Sequence, residues 1–155
     1  MFRASEVFEF ARAIEQNGRD FYQAMVARAR TPEIRQLFAR LAQEEEQHIL
    51  DFSRLAARAA PYDPPESYPG EYAAYMQALI DNNVFPRELD PGDLAREMGN
   101  EKDAIKFAMG FEKDSLLFFS GLKNLVAESE AALVDELLRQ ERRHLCELHS
   151  ALQGM

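Results

Sequence analysis

The sequence predicts an all-α protein, a bundle of four long helices arranged as two antiparallel hairpins joined by a long crossover. Three observations carry this. All seven prolines fall at Pro32, Pro61, Pro64, Pro65, Pro69, Pro86 and Pro91, leaving long uninterrupted stretches on either side, and proline is what a helix interior tolerates least. Two of those stretches precede the proline cluster and two follow it, each with apolar residues at helical spacing. The turns within each pair are short, whereas the middle connection is long, which makes each pair a hairpin.

Helix 1 is expected from about Ser5 to Arg30. Thr31-Pro32 reads as an N-cap followed by proline at the first helical position, opening helix 2 through about Ala60. Hairpin 1 thus covers about 5–60. The crossover, about 61–92, holds a proline-rich loop from Pro61 to Gly70, a short helix from Glu71 to Asp81 and a second loop from Asn82 to Gly92. Hairpin 2 covers about 93–152. Its helix 3 runs from near Asp93 to about Ala127, with Gly99-Asn100 offering a break, and Ser129 caps helix 4, which continues to about Leu152. At 1.5 Å per residue the long helices span about 30–40 Å each. The whole chain, 1–155, reads as a single domain.

Composition excludes several classes of partner. The chain carries 18 Lys+Arg against 27 Asp+Glu, a formal charge of −9. With no basic block, it is not expected to bind nucleic acid or an anionic membrane. No apolar run approaches the roughly 20 residues of a membrane span, and the first residues lack the apolar stretch of a signal peptide. A single cysteine, Cys146, rules out an intrachain disulfide and any Cys-rich zinc or iron site within these residues. The expected compartment is the cytoplasm.

Each helix carries one seam. Helix 1 reads Phe8, Ala11, Glu15, Gly18, Tyr22, Met25, and helix 2 reads Ile34, Phe38, Leu41, Glu45, His48, Phe52, Leu55. Helix 3 reads Ile105, Ala108, Glu112, Ser115, Phe119, Leu122, Val126, and helix 4 reads Val134, Leu137, Glu141, His144, Leu148. Near its middle every apolar seam places a carboxylate, and two add a histidine. The pattern is duplicated: Glu15 matches Glu112, and Glu45-Glu46-Gln47-His48 matches Glu141-Arg142-Arg143-His144.

Four carboxylates facing one another in an apolar core cannot all stay ionised unaided, because desolvation and mutual repulsion penalise each charge. Two divalent cations would cancel four negative charges, and two imidazoles would complete the coordination. A Glu and a His at i, i+3 share a helix face and can reach one metal. Oxygen-rich sites with one imidazole per metal suit Fe or Mn. Any one glutamate in so acidic a chain reads most simply as solvated. A glutamate on all four seams, with two of three histidines in matched places, reads as a metal site.

At these residues the sequence resembles the rubrerythrin branch of the ferritin-like di-iron carboxylate proteins, over essentially its whole length. The resemblance implies a ferritin-like bundle holding two Fe ions per chain, with Mn or Zn as substitutes. It makes Glu45 and Glu141 the bridging ligands, Glu15 and Glu112 the terminal carboxylates, and His48 and His144 the nitrogen ligands. Tyr22, seven residues after Glu15, is either a core aromatic or similar to the family's tyrosine that hydrogen-bonds a ligand carboxylate. Two departures matter. Rubrerythrins proper carry a C-terminal rubredoxin domain, which this chain lacks, so reductant is expected from an external donor such as a rubredoxin-type protein. They also have an extra glutamate three residues after the terminal carboxylate of helix 3, where this chain has Ser115. The ligand set is therefore closer to that of bacterioferritin.

Other residues have weaker claims. Glu101 lies about 16 Å along the axis from Glu112, too far to join it, and reads as a surface acid favoured by the helix dipole. Glu44 and Glu46 point off the seam and read as solvated, so Glu44→Ala is expected to leave paired-metal binding intact. Asp20 and Asp114 read as salt-bridging, His149 as exposed and Cys146 as a semi-buried small hydrophobe. Gly18 and Ser115 either leave room for an oxidant or let helices approach closely. Phe107, Phe111, Phe118 and Phe119, with Tyr68, Tyr72, Tyr75 and Phe85 in the crossover, exceed one inward stripe and fit either a cover for the bundle or a subunit interface, and the resemblance to rubrerythrin-like bundles implies a homodimer.

The resemblance and the ligand set together imply oxidation of Fe(II) with reduction of H₂O₂ or O₂. A non-catalytic iron-binding or iron-storage protein is the alternative from another class. A metal-free helical interaction module is the third.

Overall fold

The computed structural model describes residues 4–59, 66–83 and 90–155. Among them the chain forms α1 (Ala4–Arg28), α2 (Pro32–Arg58), α3 (Glu71–Asp81), α4 (Pro91–Glu97), α5 (Glu101–Ser120), a 3₁₀ helix (Gly121–Leu125) and α6 (Glu128–Gln153), with no strand. Helix α1 packs along α2, and α5 along α6. The two hairpins meet where α1 touches α5 and α2 touches α6, while α4 lies against α1. This is the expected all-α, ferritin-like bundle.

Local chemistry explains most boundaries. Pro32 opens α2 after the extended Thr31, as the Thr-Pro pair predicts. The Thr31 hydroxyl, however, caps nothing in its own helix. It donates instead to Glu101 Oε2 at 2.6 Å. The short crossover helix α3 has the expected bounds, and Gly70 precedes it at φ 87°, a left-handed conformation that glycine adopts without steric penalty. The expectations for 61–65 and 84–89, Phe85 included, fall outside the described residues.

Helix 3 differs from expectation. It is two helices, because the break at Gly99-Asn100 is real: α4 stops at Glu97, and Asn100 caps α5 by accepting from the Asp103 amide at 2.9 Å. Its far end also stops short of Ala127. Helix α5 closes at Ser120 and tightens into the 3₁₀ turn. Val126 and Ala127 are then extended, so α6 starts at Glu128 with Ala127 at the cap position, and Ser129 is inside the helix rather than capping it.

The seams form the core. Phe8, Tyr22, Phe38, Leu41, Phe52, Ile105, Phe119, Leu122, Val134 and Leu148 are all fully buried. Burial at roughly 25 cal/mol per Å² of apolar surface makes this core the main stabilising term. Gly18 serves close approach: a β-carbon there would lie 2.5 Å from Phe111 Cζ, so the phenylalanine ring packs where a side chain would stand. Phe111, Phe118 and Phe119 are buried within the chain, and Phe107 packs 5.0 Å from Phe21. The aromatic surplus of helix 3 therefore forms no exposed face. Leu117, Tyr68 and Tyr75 do remain exposed. Among the described residues no helix is long and apolar enough to cross a membrane.

Candidate metal centre

Midway along the bundle, α1 supplies Glu15, α2 supplies Glu45 and His48, α5 supplies Glu112, and α6 supplies Glu141 and His144. All six are completely buried. The i, i+3 spacing stacks each Glu and His on one inward face, and the hairpin turns bring the four faces together. The imidazole rings lie nearly parallel, 19° apart in plane and 5.5 Å between centroids.

The six side chains sort into two groups. Glu15, Glu45, His48 and Glu141 bring one ligand atom each within 4.8 Å of one another, and so do Glu45, Glu112, Glu141 and His144. Glu45 and Glu141 belong to both groups, each giving one oxygen to each histidine. His48 Nδ1 lies 3.2 Å from Glu45 Oε2 and 2.7 Å from Glu141 Oε1, with Glu15 Oε2 at 2.8 Å. His144 Nδ1 lies 3.4 Å from Glu45 Oε1 and 3.9 Å from Glu141 Oε2, with Glu112 Oε2 at 3.5 Å.

The electrostatics are those of a cation site holding protons instead. Burial, reinforced by Glu45 and Glu141, pushes the Glu15 carboxyl well above its usual range. Burial and Glu141 do the same to Glu112. Burial would push the His48 imidazole down, but Glu141, Glu15 and Glu45 outweigh it and raise it well above its ordinary value. His144 is raised likewise against its burial, by Glu112, Glu44 and Glu45. Even so, Glu15 Oε1, Glu45 Oε1, Glu112 Oε2, both Glu141 oxygens and His144 Nδ1 make no well-aligned hydrogen bond, although Glu141 Oε1 lies only 2.7 Å from His48 Nδ1. Buried polar atoms are seldom left so. Hard oxygen donors and two imidazoles, converging in two groups that share Glu45 and Glu141, have the chemistry of a divalent-cation site.

Tyr22, open between two readings in the sequence, donates its hydroxyl to Glu112 Oε1. Burial first, then Glu112, keeps that hydroxyl protonated far above the usual tyrosine range. Glu44 corrects the expectation of a solvated acid. Its side chain is only 22% exposed and its Oε2 accepts from His144 Nε2 at 2.7 Å and Arg143 at 2.6 Å. The His144 bond, more than Arg143, lowers its carboxyl to about 2. Gln140, unnoticed in the sequence, accepts from His48 Nε2 at 2.8 Å. The signal was present: each of the two residues directly precedes a Glu-x-x-His.

The remaining candidates lie elsewhere. Glu46 and Asp20 both pair with Arg19 near the surface, and His149 is exposed. Cys146 is exposed rather than semi-buried, because it falls on the outer face of α6. Glu101 is the surface acid at the start of α5 that was expected, and it also accepts from the amides of Arg30 and Thr31 at 2.6 and 2.8 Å. The Ser115 hydroxyl is buried without a partner.

Fold and site together define a four-helix bundle built around a paired carboxylate and histidine cluster that suits a di-iron centre. The family model of rubrerythrin matches residues 6–152, and the chain belongs to that family. Its fold is similar to that of a Thermotoga maritima protein described as a ferritin-like diiron-carboxylate protein, at 20% identity and TM-score 0.76, covering 98% of this chain and 95% of that one. It is also similar to a hypothetical protein of Pyrococcus furiosus, at 25% identity and TM-score 0.71, covering 98% and 89%. No curated protein matches the chain.

Proposed function

We propose that the protein is a di-iron oxidoreductase that oxidises Fe(II) while reducing H₂O₂ or O₂. The observation that carries the reading is the pair of four-residue groups sharing Glu45 and Glu141. Glu15 and His48 would complete one metal position, and Glu112 and His144 the other. Two Fe(II) ions held by these residues would supply one electron each, enough for the reduction of one H₂O₂ to two waters with two protons. The chain's own part is to keep bulk water from the ligands, which are all completely buried, and to hold the carboxylates in place. Tyr22 fixes Glu112 through its hydroxyl. The outward Nε2–H bonds to Glu44 and Gln140 leave Nδ1 of each histidine facing the centre.

The complete burial of the ligands also supports the second reading, a protein that binds or stores iron without turnover. Stoichiometry separates the two. In anaerobic Fe(II) titration the metal-free protein is expected to saturate at two irons per chain. Stopped-flow mixing with H₂O₂, and separately with O₂, then follows ferric absorbance, and the faster oxidant names the chemistry. Oxidation of many Fe(II) equivalents per chain supports the enzyme, and arrest near two supports the binder. Saturation at one iron or none defeats both. In this reading the protein works as a homodimer with an external electron donor; sedimentation checks the dimer, and turnover with an added rubredoxin-type reductant checks the donor.

A further inference from the structure

The duplication makes the two halves of the centre alike in ligands but unlike in what supports them. Glu44 and Gln140 hold matched places, each directly before a Glu-x-x-His, and each reaches the other hairpin's histidine. Each is steadied from four residues earlier. Arg40 lies 3.6 Å from Glu44 Oε1, and Glu136 accepts from Gln140 Nε2 at 2.8 Å, which turns the amide oxygen towards His48. Arg143 adds its bond to Glu44. One imidazole therefore donates to an anion and the other to a neutral amide. The second mismatch is Tyr22 against Phe119, the residues seven after Glu15 and Glu112. Tyr22 holds Glu112 by its hydroxyl. Phe119 has none to offer Glu15 and packs instead 4.6 Å from Phe52.

A carboxylate that accepts the outer N–H of a ligating histidine fixes the ring and strengthens it as a donor, and loss of such a partner costs about 10–100-fold in metal affinity. An amide fixes the ring without adding charge. We propose that Glu44 and Tyr22 make the Glu112–His144 position the tight, resident one, while the Glu15–His48 position fills last and exchanges first. Both are positioning residues, acting through His144 and Glu112. The inference rests on the two-metal reading of the centre.

Calorimetric titration of the metal-free protein with Fe(II) under anaerobic conditions tests it, with circular dichroism to establish folding. The wild type is expected to bind in two steps of different affinity. Glu44→Gln is expected to weaken the first step about 10–100-fold and draw the steps together. Tyr22→Phe acts in the same direction. The pair Gln140→Glu with Glu136→Arg, which copies the Arg40–Glu44 arrangement onto α6, is expected to tighten the second step. Should Glu44→Gln fail to fold, that gain decides the matter alone. Two equal steps in the wild type, or steps that none of these variants moves, overturn the inference while leaving the two-metal reading intact. Fewer than two irons per chain overturns the two-metal reading, and the inference with it.

Discussion

Glu45 and Glu141 each turn one oxygen towards each histidine, so neither has a substitute among the other buried groups. Glu45→Ala or Glu141→Ala is expected to abolish paired-metal binding, measured as metal content per chain after loading and desalting. Glu46→Ala, at an exposed salt bridge with Arg19, is expected to keep it. Equal content in all three variants would defeat the bridging assignment. Glu44→Ala, which from the sequence alone was expected to be silent, is now expected to lower affinity without abolishing binding. Burial and the neighbouring carboxylates raise the Glu15 carboxyl in the metal-free chain, which opposes folding at neutral pH, so Glu15→Gln should raise the melting temperature of the apoprotein although it removes a candidate ligand. Gly18→Ala acts through packing alone. Its β-carbon would meet Phe111 at 2.5 Å, and displacing that buried ring is expected to cost about 1–3 kcal/mol, read from chemical denaturation.

Between elements, the turn joining α1 to α2 is held by an acid from another helix. Glu101, the first residue of α5, accepts from the Arg30 amide and from the Thr31 amide and hydroxyl. Burial pushes its carboxyl up, but these bonds outweigh it and leave it below the ordinary glutamate value. A carboxyl lowered in the folded state stabilises the fold above its unfolded value, and the contribution disappears as pH falls through the folded value. Glu101→Gln is therefore expected to cost about 1 kcal/mol at neutral pH and progressively less in acid. A deficit independent of pH would show that the charge is irrelevant. Asn100→Ala removes the α5 cap at the neighbouring position and is expected to cost about 1 kcal/mol at any pH.

For the molecule as a whole, protons and metal compete for one set of ligands. Glu15, Glu112, His48 and His144 all have raised values in the metal-free fold and must give up their protons when they ligate. Loading is therefore expected to release protons, and apparent affinity to fall as pH falls. Titration calorimetry in buffers of different ionisation enthalpy measures the release. Metal that binds only the folded chain stabilises it, by about 2.7 kcal/mol per site at a free concentration one hundred times Kd. A chelator should thus lower the melting temperature, and re-addition of Fe(II) under anaerobic conditions should restore it.

Helical periodicity and the placement of the prolines determined the seams as far as Phe119 on the third, the short crossover helix and the six converging side chains. A side chain's helix face follows from its position modulo the helical repeat, and the duplicated Glu and Glu-x-x-His make that repeat readable. The break before α5 was legible as Gly99-Asn100. The stop at Ser120 was marked only by Gly121, and the apolar spacing of Leu122 and Val126 beyond it read as a continuing helix. Only the tertiary structure decided that Glu44 and Gln140 cross to the opposite histidines, that Tyr22 meets Glu112 and that Glu101 ties down a distant turn. Those contacts join residues 70 to 100 positions apart. They depend on how the hairpins rotate against each other, and no local spacing records that.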